Sequence, residues 1–337
     1  MSGAVPSDFL ALPSIDAGLA KEVQEALDQV EKLLRESVAA SDPLLTEAAS
    51  HLLSAGGKRF RATLVLLASH FGDPTVPDLT RAAAVVELTH VATLYHDDVM
   101  DEAELRRGEP SANQRWGNSV AILTGDYVFA RASEILADLG TEAVRMQART
   151  FGRLVQGQIL ETSGPRDGAD PLEHYLRVIS DKTASLIASS AEFGATFAGA
   201  GPEVTGTITR ACDALGMAFQ LADDILDVAG DPSESGKVPG TDLREGVLTL
   251  PMLYARRAAQ AGDTGSARLD SLLGRPLSDA ETEEALGLLR VHPAMDEARA
   301  TTREWAERAR AELAALPEGA PRDAFEALCD YVVRRSG

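Results

Sequence analysis

Six aspartates fall into two groups of one spacing: Asp97, Asp98 and Asp101 in LYHDDVMDEAELRRG, and Asp223, Asp224 and Asp227 in QLADDILDVAG. On a helix, side chains four apart stack about 6 Å along the axis. Asp97 then shares a face with Asp101, and Asp223 with Asp227, while the middle carboxylate turns about 100° away. Like charges so placed destabilise a helix, and a bound cation compensates directly. An all-oxygen shell that retains water suits Mg²⁺. A solvated acidic face is the ordinary explanation of one DDxxD. Two copies inside apolar stretches fit it poorly, because HVATLY and ILDV leave little polar face beyond the carboxylates. An EF-hand is excluded, since neither group continues with the required Gly and terminal Glu.

Basic residues complete the pattern. Arg106 and Arg107 follow Asp101 near the expected end of its helix, and SAGGKRFRATL sets Lys58, Arg59 and Arg61 beside Gly56 and Gly57. Paired glycines allow close backbone approach, and the cations beside them make an oxyanion-binding corner. The missing GKS/T ending separates it from a P-loop. Gln220 shares the face of Asp223 and Asp227, and His90 lies two turns before Asp97. A lone His is usually a satisfied core residue; its place above a carboxylate group marks this one. The implied chemistry is a site for two anionic groups. Carboxylates recruit Mg²⁺, Mg²⁺ recruits a diphosphate, and Lys and Arg bind what the metal does not reach.

The elements that must position these groups are helices. The chain has 337 residues, 45% apolar and 5% aromatic, so its core is mainly Ala, Leu and Val, a helix-favouring mix. Val85, Leu88, Ala92, Tyr95 and Val99 recur at helical spacing, as do Met217, Leu221, Ile225 and Val228. Gly/Pro/Asp-rich stretches at 70–78, 162–171, 198–203, 261–267 and 316–321 read as loops. The expected fold is all-α, with roughly ten or more helices in a single domain over 1–337. Its motifs lie within about 51–251, and packing helices follow over about 260–337. Segment 231–246, DPSESGKVPGTDLREG, reads as a lid or binding loop.

The net charge of −20 argues against a non-specific nucleic-acid binder. Two cysteines, Cys212 and Cys329, are too few for a disulfide framework. No Lys or Arg precedes Lys21, so the basic region of a signal peptide is missing. No uncharged apolar stretch reaches the ~18 residues of a membrane span. The expected location is the cytoplasm.

These motifs resemble those of the trans-polyprenyl diphosphate synthases, the head-to-tail prenyltransferases that include farnesyl and geranylgeranyl diphosphate synthases. HDDVMDEAELRRG is similar to the family's first aspartate-rich motif and QLADDILD to its second. GGKRFR resembles its isopentenyl diphosphate corner and DKTASL (181–186) its Lys-Thr motif, and GKVPGTDLREGVLTLP also fits. The resemblance implies an all-α fold around a central cavity, a homodimer, and Mg²⁺ on all six aspartates, three ions with diphosphate bound. It implies that Arg106, Lys182, Thr183, Gln220 and Lys237 contact the allylic diphosphate. Lys58, Arg61, His90 and Arg107 would bind isopentenyl diphosphate. Asp97, Asp101, Lys182, Asp223 and Asp224 form the implied catalytic set. Ala222 stands where many relatives carry Gly, and all six aspartates remain.

A class I terpene cyclase would share the first motif but replace the second with an Asn-Ser/Thr-Glu set. A non-catalytic synthase subunit would lose metal ligands. Neither matches DDILD. Short-chain family members block the chain tail with an aromatic four or five residues before the first Asp. Here those positions are Thr93 and Ala92, with Thr89 one turn further. Products longer than C15, expected at C30 or more as for a quinone side chain, are therefore favoured, and a short-chain farnesyl or geranylgeranyl diphosphate synthase is the alternative. The floor that stops growth is expected on another helix, such as that of Tyr127 and Phe129.

Overall fold

The structure, a computed structural model, describes residues 9–230 and 239–335. Lys237 and the first half of the 231–246 segment lie outside the described residues. Among those described, the fold is all-α apart from two antiparallel two-residue strands, Leu105–Arg106 and Glu109–Pro110. The first ten helices are α1 (Ala17–Ser37), α2 (Pro43–Ser54), α3 (Phe60–Ser69), α4 (Asp78–Met100), α5 (Ala112–Trp116), α6 (Asn118–Leu139), α7 (Thr141–Ser163), α8 (Pro171–Ile179), α9 (Ser185–Phe197) and α10 (Pro202–Ala229). Their starts follow local chemistry. Asp16, Asp42 and Asp170 accept backbone N–H groups at the N-termini of α1, α2 and α8, and proline opens α2 and α8. Ser278 and Glu281 form a reciprocal capping box on the helix Asp279–Arg290.

The chain divides into two compact units, each drawn from three separate stretches. One unit takes the chain up to Phe151, Leu186–Thr209 and Ala315–Phe325. The other takes Gly152–Ser185, Arg210–Ala314 and the chain from Glu326.

In the first unit α4 packs against α1, α3 and α6. Ala82, Ala83, Ala84, Val85 and Val86 are consecutive and all buried, so this middle part of α4 is core on every side. A polar side chain on it must find a partner. Glu87, 2% exposed, accepts the N–H of Ala62 in the first turn of α3 at 3.0 Å. Helix α9 approaches α3 so closely that a Cβ on Gly194 would lie 2.0 Å from the Val65 carbonyl oxygen. Gly194→Ala is therefore expected to lower stability by about 1–3 kcal/mol or more, since backbone must move to admit one methyl. A urea melt of the variant checks this.

In the second unit Met217, Leu221, Ile225 and Val228 of α10 are buried against Leu250, Met252, Leu286 and Met295. The period that marked α10 in the sequence is thus its core face. Between α8 and α9, Ser180–Ala184 forms a π turn, a feature that concentrates at functional sites. Among the described residues, no helix is long and apolar enough to cross a membrane.

Candidate active site

In the first unit, Asp97 and Asp98 occupy the last turn of α4, and Asp101 caps it, its N–H bonded to the Asp97 carbonyl at 2.8 Å. The three carboxylates have different surroundings: Asp97 is half-buried, Asp101 exposed, and Asp98 fully buried. Arg106 Nε donates to Asp98 Oδ1 at 2.6 Å, whereas Asp98 Oδ2 is buried with no hydrogen-bond partner. Burial pushes the Asp98 carboxyl above the usual range, against the pull of Arg106.

The two arginines do not sit at a helix end as expected. The backbone turns away at Glu102, with φ of 50°, and forms a hairpin. Arg106 pairs with Glu109, while Arg107 and Gly108 make the turn with φ of 56° and 80°. Arg106 thereby reaches Asp98, and Arg107 reaches the glycine corner. Arg107 Nη1 donates to the Leu52 carbonyl at 2.5 Å and to that of Gly56. A Cβ on Gly57 would lie 3.1 Å from the Arg107 guanidinium, so the glycine makes room for it. Lys58 is exposed and Arg61 half-buried in the first turn of α3. Arg59 between them is structural: 6% exposed, it pairs with Glu31 of α1 and donates to the Leu53 carbonyl at 3.0 Å. His90 is half-buried. Burial first, then Arg61, Arg107, Arg106 and Arg59, hold its imidazole well below its ordinary pKa, so it is neutral at pH 7.

Along the same α4 stripe, Thr89 is wholly buried and its Oγ1 accepts from Gln147 Nε2 of α7 at 2.7 Å. Ala92 is 2% exposed. Thr93 is half-buried and donates to the His90 carbonyl at 2.8 Å. Of these three positions, Thr93 alone offers appreciable accessible surface. On α6, the Tyr127 hydroxyl donates to the Ala39 carbonyl at 3.0 Å, and the Phe129 and Phe151 rings lie 4.3 Å apart.

The second unit carries the second aspartate group on α10. Asp224, 6% exposed, accepts from Gln220 Nε2 at 2.8 Å on one oxygen and from the Tyr175 hydroxyl on the other. Gln220 Oε1 in turn accepts from Thr183 Oγ1 at 3.1 Å. Burial, the largest influence, pushes the Asp224 carboxyl up to about 7. Asp227 accepts the N–H groups of Thr241 and Asp242, each at 3.2 Å, where the helix Thr241–Glu245 begins. Asp223 accepts from Arg335 Nη2 at 2.8 Å, whose guanidinium lies over the Phe219 and Tyr331 rings at 5.4 and 5.6 Å. Lys182, in the π turn, pairs with Glu161 of α7. A Cβ on Gly157 would stand 2.6 Å from the Lys182 nitrogen, so α7 and the turn meet backbone to backbone. Lys182, Thr183, Gln220 and Asp224 line a cavity of about 520 Å³.

Among the described residues, no three Asp, Glu, His or Cys side chains converge tightly enough to hold a metal unaided. The donors fit Mg²⁺ nonetheless. They are all oxygen, one of them, Asp98 Oδ2, is buried and unpaired, and Mg²⁺ commonly fills its shell from water and substrate phosphates.

Residues 42–289 match the family model described as polyprenyl synthetase. The chain belongs to the polyprenyl synthetase family. As a member it is an enzyme that transfers prenyl groups. It is 48% identical over 324 residues to a nonaprenyl diphosphate synthase of Mycobacterium tuberculosis, covering 96% of each chain. It resembles the structure of a Corynebacterium glutamicum geranylgeranyl pyrophosphate synthase complexed with calcium and isoprenyl diphosphate (TM-score 0.85, 45% identity, 96% of this chain and 98% of that one). A Rhodobacter capsulatus decaprenyl diphosphate synthase is similar too (TM-score 0.85, 36% identity, 95% and 99% covered).

For this polyprenyl synthetase, the hairpin separates the effects of its two arginines. Arg106→Ala would leave the buried Asp98 without its cation. That is expected to cost about 2–3 kcal/mol of stability, below the range of a fully buried pair because Arg106 is 31% exposed. Arg107→Ala is expected to raise KM for isopentenyl diphosphate about ten- to a hundredfold, the worth of a charged hydrogen bond. Melting curves and initial rates measured on both variants distinguish the two profiles. Sequence reasoning missed Tyr175, Glu161 and Arg335. Each meets its partner only through tertiary packing, so no local spacing marks it.

Proposed function

We propose that this enzyme condenses isopentenyl diphosphate with an allylic diphosphate to give an all-trans polyprenyl diphosphate longer than C15. The observation that carries this reading is the pair of aspartate groups, each accompanied by its own cations: Arg106 beside Asp98, and Lys182 in the π turn by Gln220 and Asp224. The two groups serve the allylic diphosphate, with Arg106, Lys182, Thr183, Gln220 and Lys237. Lys58, Arg61, His90 and Arg107 receive isopentenyl diphosphate. Bound Mg²⁺ would neutralise the diphosphate leaving group as the allylic C–O bond breaks. The protein's own cations share that charge, and Lys182 is kept in place by Glu161 until the diphosphate competes for it. The isopentenyl double bond attacks the allylic carbocation, and loss of a proton gives the trans alkene. His90, neutral, can donate to the second diphosphate without adding a fifth positive charge to the four arginines around it.

The two compact units work as one catalytic domain in this reading, and the enzyme acts in the cytoplasm as a homodimer. Exposed Ile122 and Leu123 on α6 support self-association. Thr93 bears on product length. The three relatives described above are named for products of C20 to C50, and the small residues before Asp97 favour the upper part, as for a quinone side chain. Farnesyl and isopentenyl diphosphates incubated with the purified enzyme should yield linear polyprenyl diphosphates by mass spectrometry. Cyclised hydrocarbon, or farnesyl diphosphate recovered intact, would refute the reading.

A further inference from the structure

We propose that Tyr175 is a positioning residue: through Asp224 it ties α8 to α10 and fixes the second aspartate group relative to Lys182. The inference rests on the reading of that group as a metal-holding site.

Asp224 differs from the aspartates beside it. It is buried, and both its oxygens are taken by side-chain donors, Tyr175 on one and Gln220 on the other. Asp223 and Asp227 are only half-buried. The middle carboxylate is therefore the most deeply anchored of the three, while Asp223, paired with Arg335, and Asp227, accepting the Thr241 and Asp242 N–H groups, keep accessible surface that a cation can reach. In the first unit the middle carboxylate, Asp98, is also buried, but Arg106 holds only one of its oxygens and the other has no hydrogen-bond partner.

The donors to Asp224 do different jobs. Gln220 lies on α10 itself, four residues earlier, so its bond to Asp224 alone holds nothing to another element. It gains that ability only by accepting from Thr183 in the π turn at 3.1 Å. Tyr175 reaches across directly from α8, which runs on into that same turn. The bonds Thr183 to Gln220, Gln220 to Asp224 and Tyr175 to Asp224 thus close a polar ring through α8, the π turn and α10. Lys182 stands inside the stretch that the ring pins. Breaking the Tyr175 bond opens this ring and leaves Thr183 as its only link to α10, so the ring no longer sets the spacing of Lys182 from Asp223 and Asp227 at two points. The Tyr175 ring also packs against the core cluster of this unit. Replacing it by Phe keeps that packing and removes the hydroxyl only.

The test uses Tyr175→Phe, Asp224→Asn and the double variant in the full chain. Mg²⁺ with inorganic diphosphate is titrated into each by calorimetry, and initial rates are measured against free Mg²⁺ and against isopentenyl diphosphate. Tyr175→Phe is expected to weaken Mg²⁺-dependent diphosphate binding about tenfold, as for loss of a hydrogen bond to a charged group. It should raise the Mg²⁺ needed for half-maximal rate and leave KM for isopentenyl diphosphate unchanged. In the Asp224→Asn background, Tyr175→Phe should have no further effect, because the two residues act as one unit. Wild-type binding by Tyr175→Phe, or additive effects in the double variant, would overturn the proposal. If Asp224→Asn does not fold, the split between the Mg²⁺ requirement and KM in Tyr175→Phe decides alone. Asp223→Ala separates the two levels. Unimpaired binding and turnover in that variant would defeat the metal reading itself. Abolished binding there, with wild-type behaviour in Tyr175→Phe, would defeat only the positioning role.

Discussion

Asp97→Ala and Asp223→Ala are each expected to lower turnover by about 10³-fold or more, because in the proposed mechanism each removes a carboxylate that holds the cation over the leaving group. Folding should not suffer. Asp97 lies in the last turn of α4 and Asp223 in the last two turns of α10. A helix C-terminus carries partial negative charge and disfavours anions by about 0.3–1 kcal/mol each. The dipole of α4 therefore disfavours the carboxylate of Asp97, while Asp223 lies before the last turn of its helix. Asp97→Ala should still unfold in a cooperative melt, as a folded protein, while losing activity. Asp223→Ala also strips Arg335 of its carboxylate, so it should melt lower than Asp97→Ala. Circular dichroism melts alongside steady-state rates check both statements. An Asp97→Ala protein that is inactive because it is unfolded would contradict them.

Thr93→Phe is expected to shorten the product to roughly C15–C20, since one helical turn and one isoprene unit are each about 5 Å long. The sequence alone marks Ala92 and Thr93 equally, as the small residues one turn before Asp97. Their surroundings separate them. Ala92 is almost wholly buried, and its carbonyl oxygen stands 3.2 Å from where a Cβ on Gly125 of α6 would lie. A phenylalanine there must displace packed atoms, at about 1–3 kcal/mol. Thr93 retains accessible surface on the stripe that leads back from Asp97, and a ring there should block the tail while the early condensations continue. Mass spectrometry of the products, with a melt of each variant, tests the distinction. Full-length product from a folded Thr93→Phe enzyme would place the tail along another route.

Much of the fold was legible because it is helical and punctuated. Helical spacing located α4 and α10, and the Gly/Pro/Asp clusters fall where helices stop. The spacing could not show that residues 82–89 of α4 are buried all round, since a periodic pattern marks one apolar face and not how many neighbours a helix has. The hairpin after α4 was also hidden. Its turn is Arg107-Gly108, where the first positive φ falls on a residue that seldom adopts it. At the glycine corner, Lys58, Arg59 and Arg61 look alike in sequence, yet Arg59 is committed to Glu31 of α1. The aspartates were readable because their spacing is local. Their partners Tyr175 and Arg335 were not, because 49 and 112 residues separate those pairs along the chain.

The most direct test of metal-dependent condensation is the initial rate of isopentenyl diphosphate incorporation into polyprenyl product as free Mg²⁺ is titrated from excess EDTA to saturation. Incorporation should be absent in EDTA, rise with Mg²⁺ to a plateau, and return fully when Mg²⁺ is restored to a chelated sample. Incorporation that persists unchanged in excess EDTA would contradict a metal-holding role for the two aspartate groups.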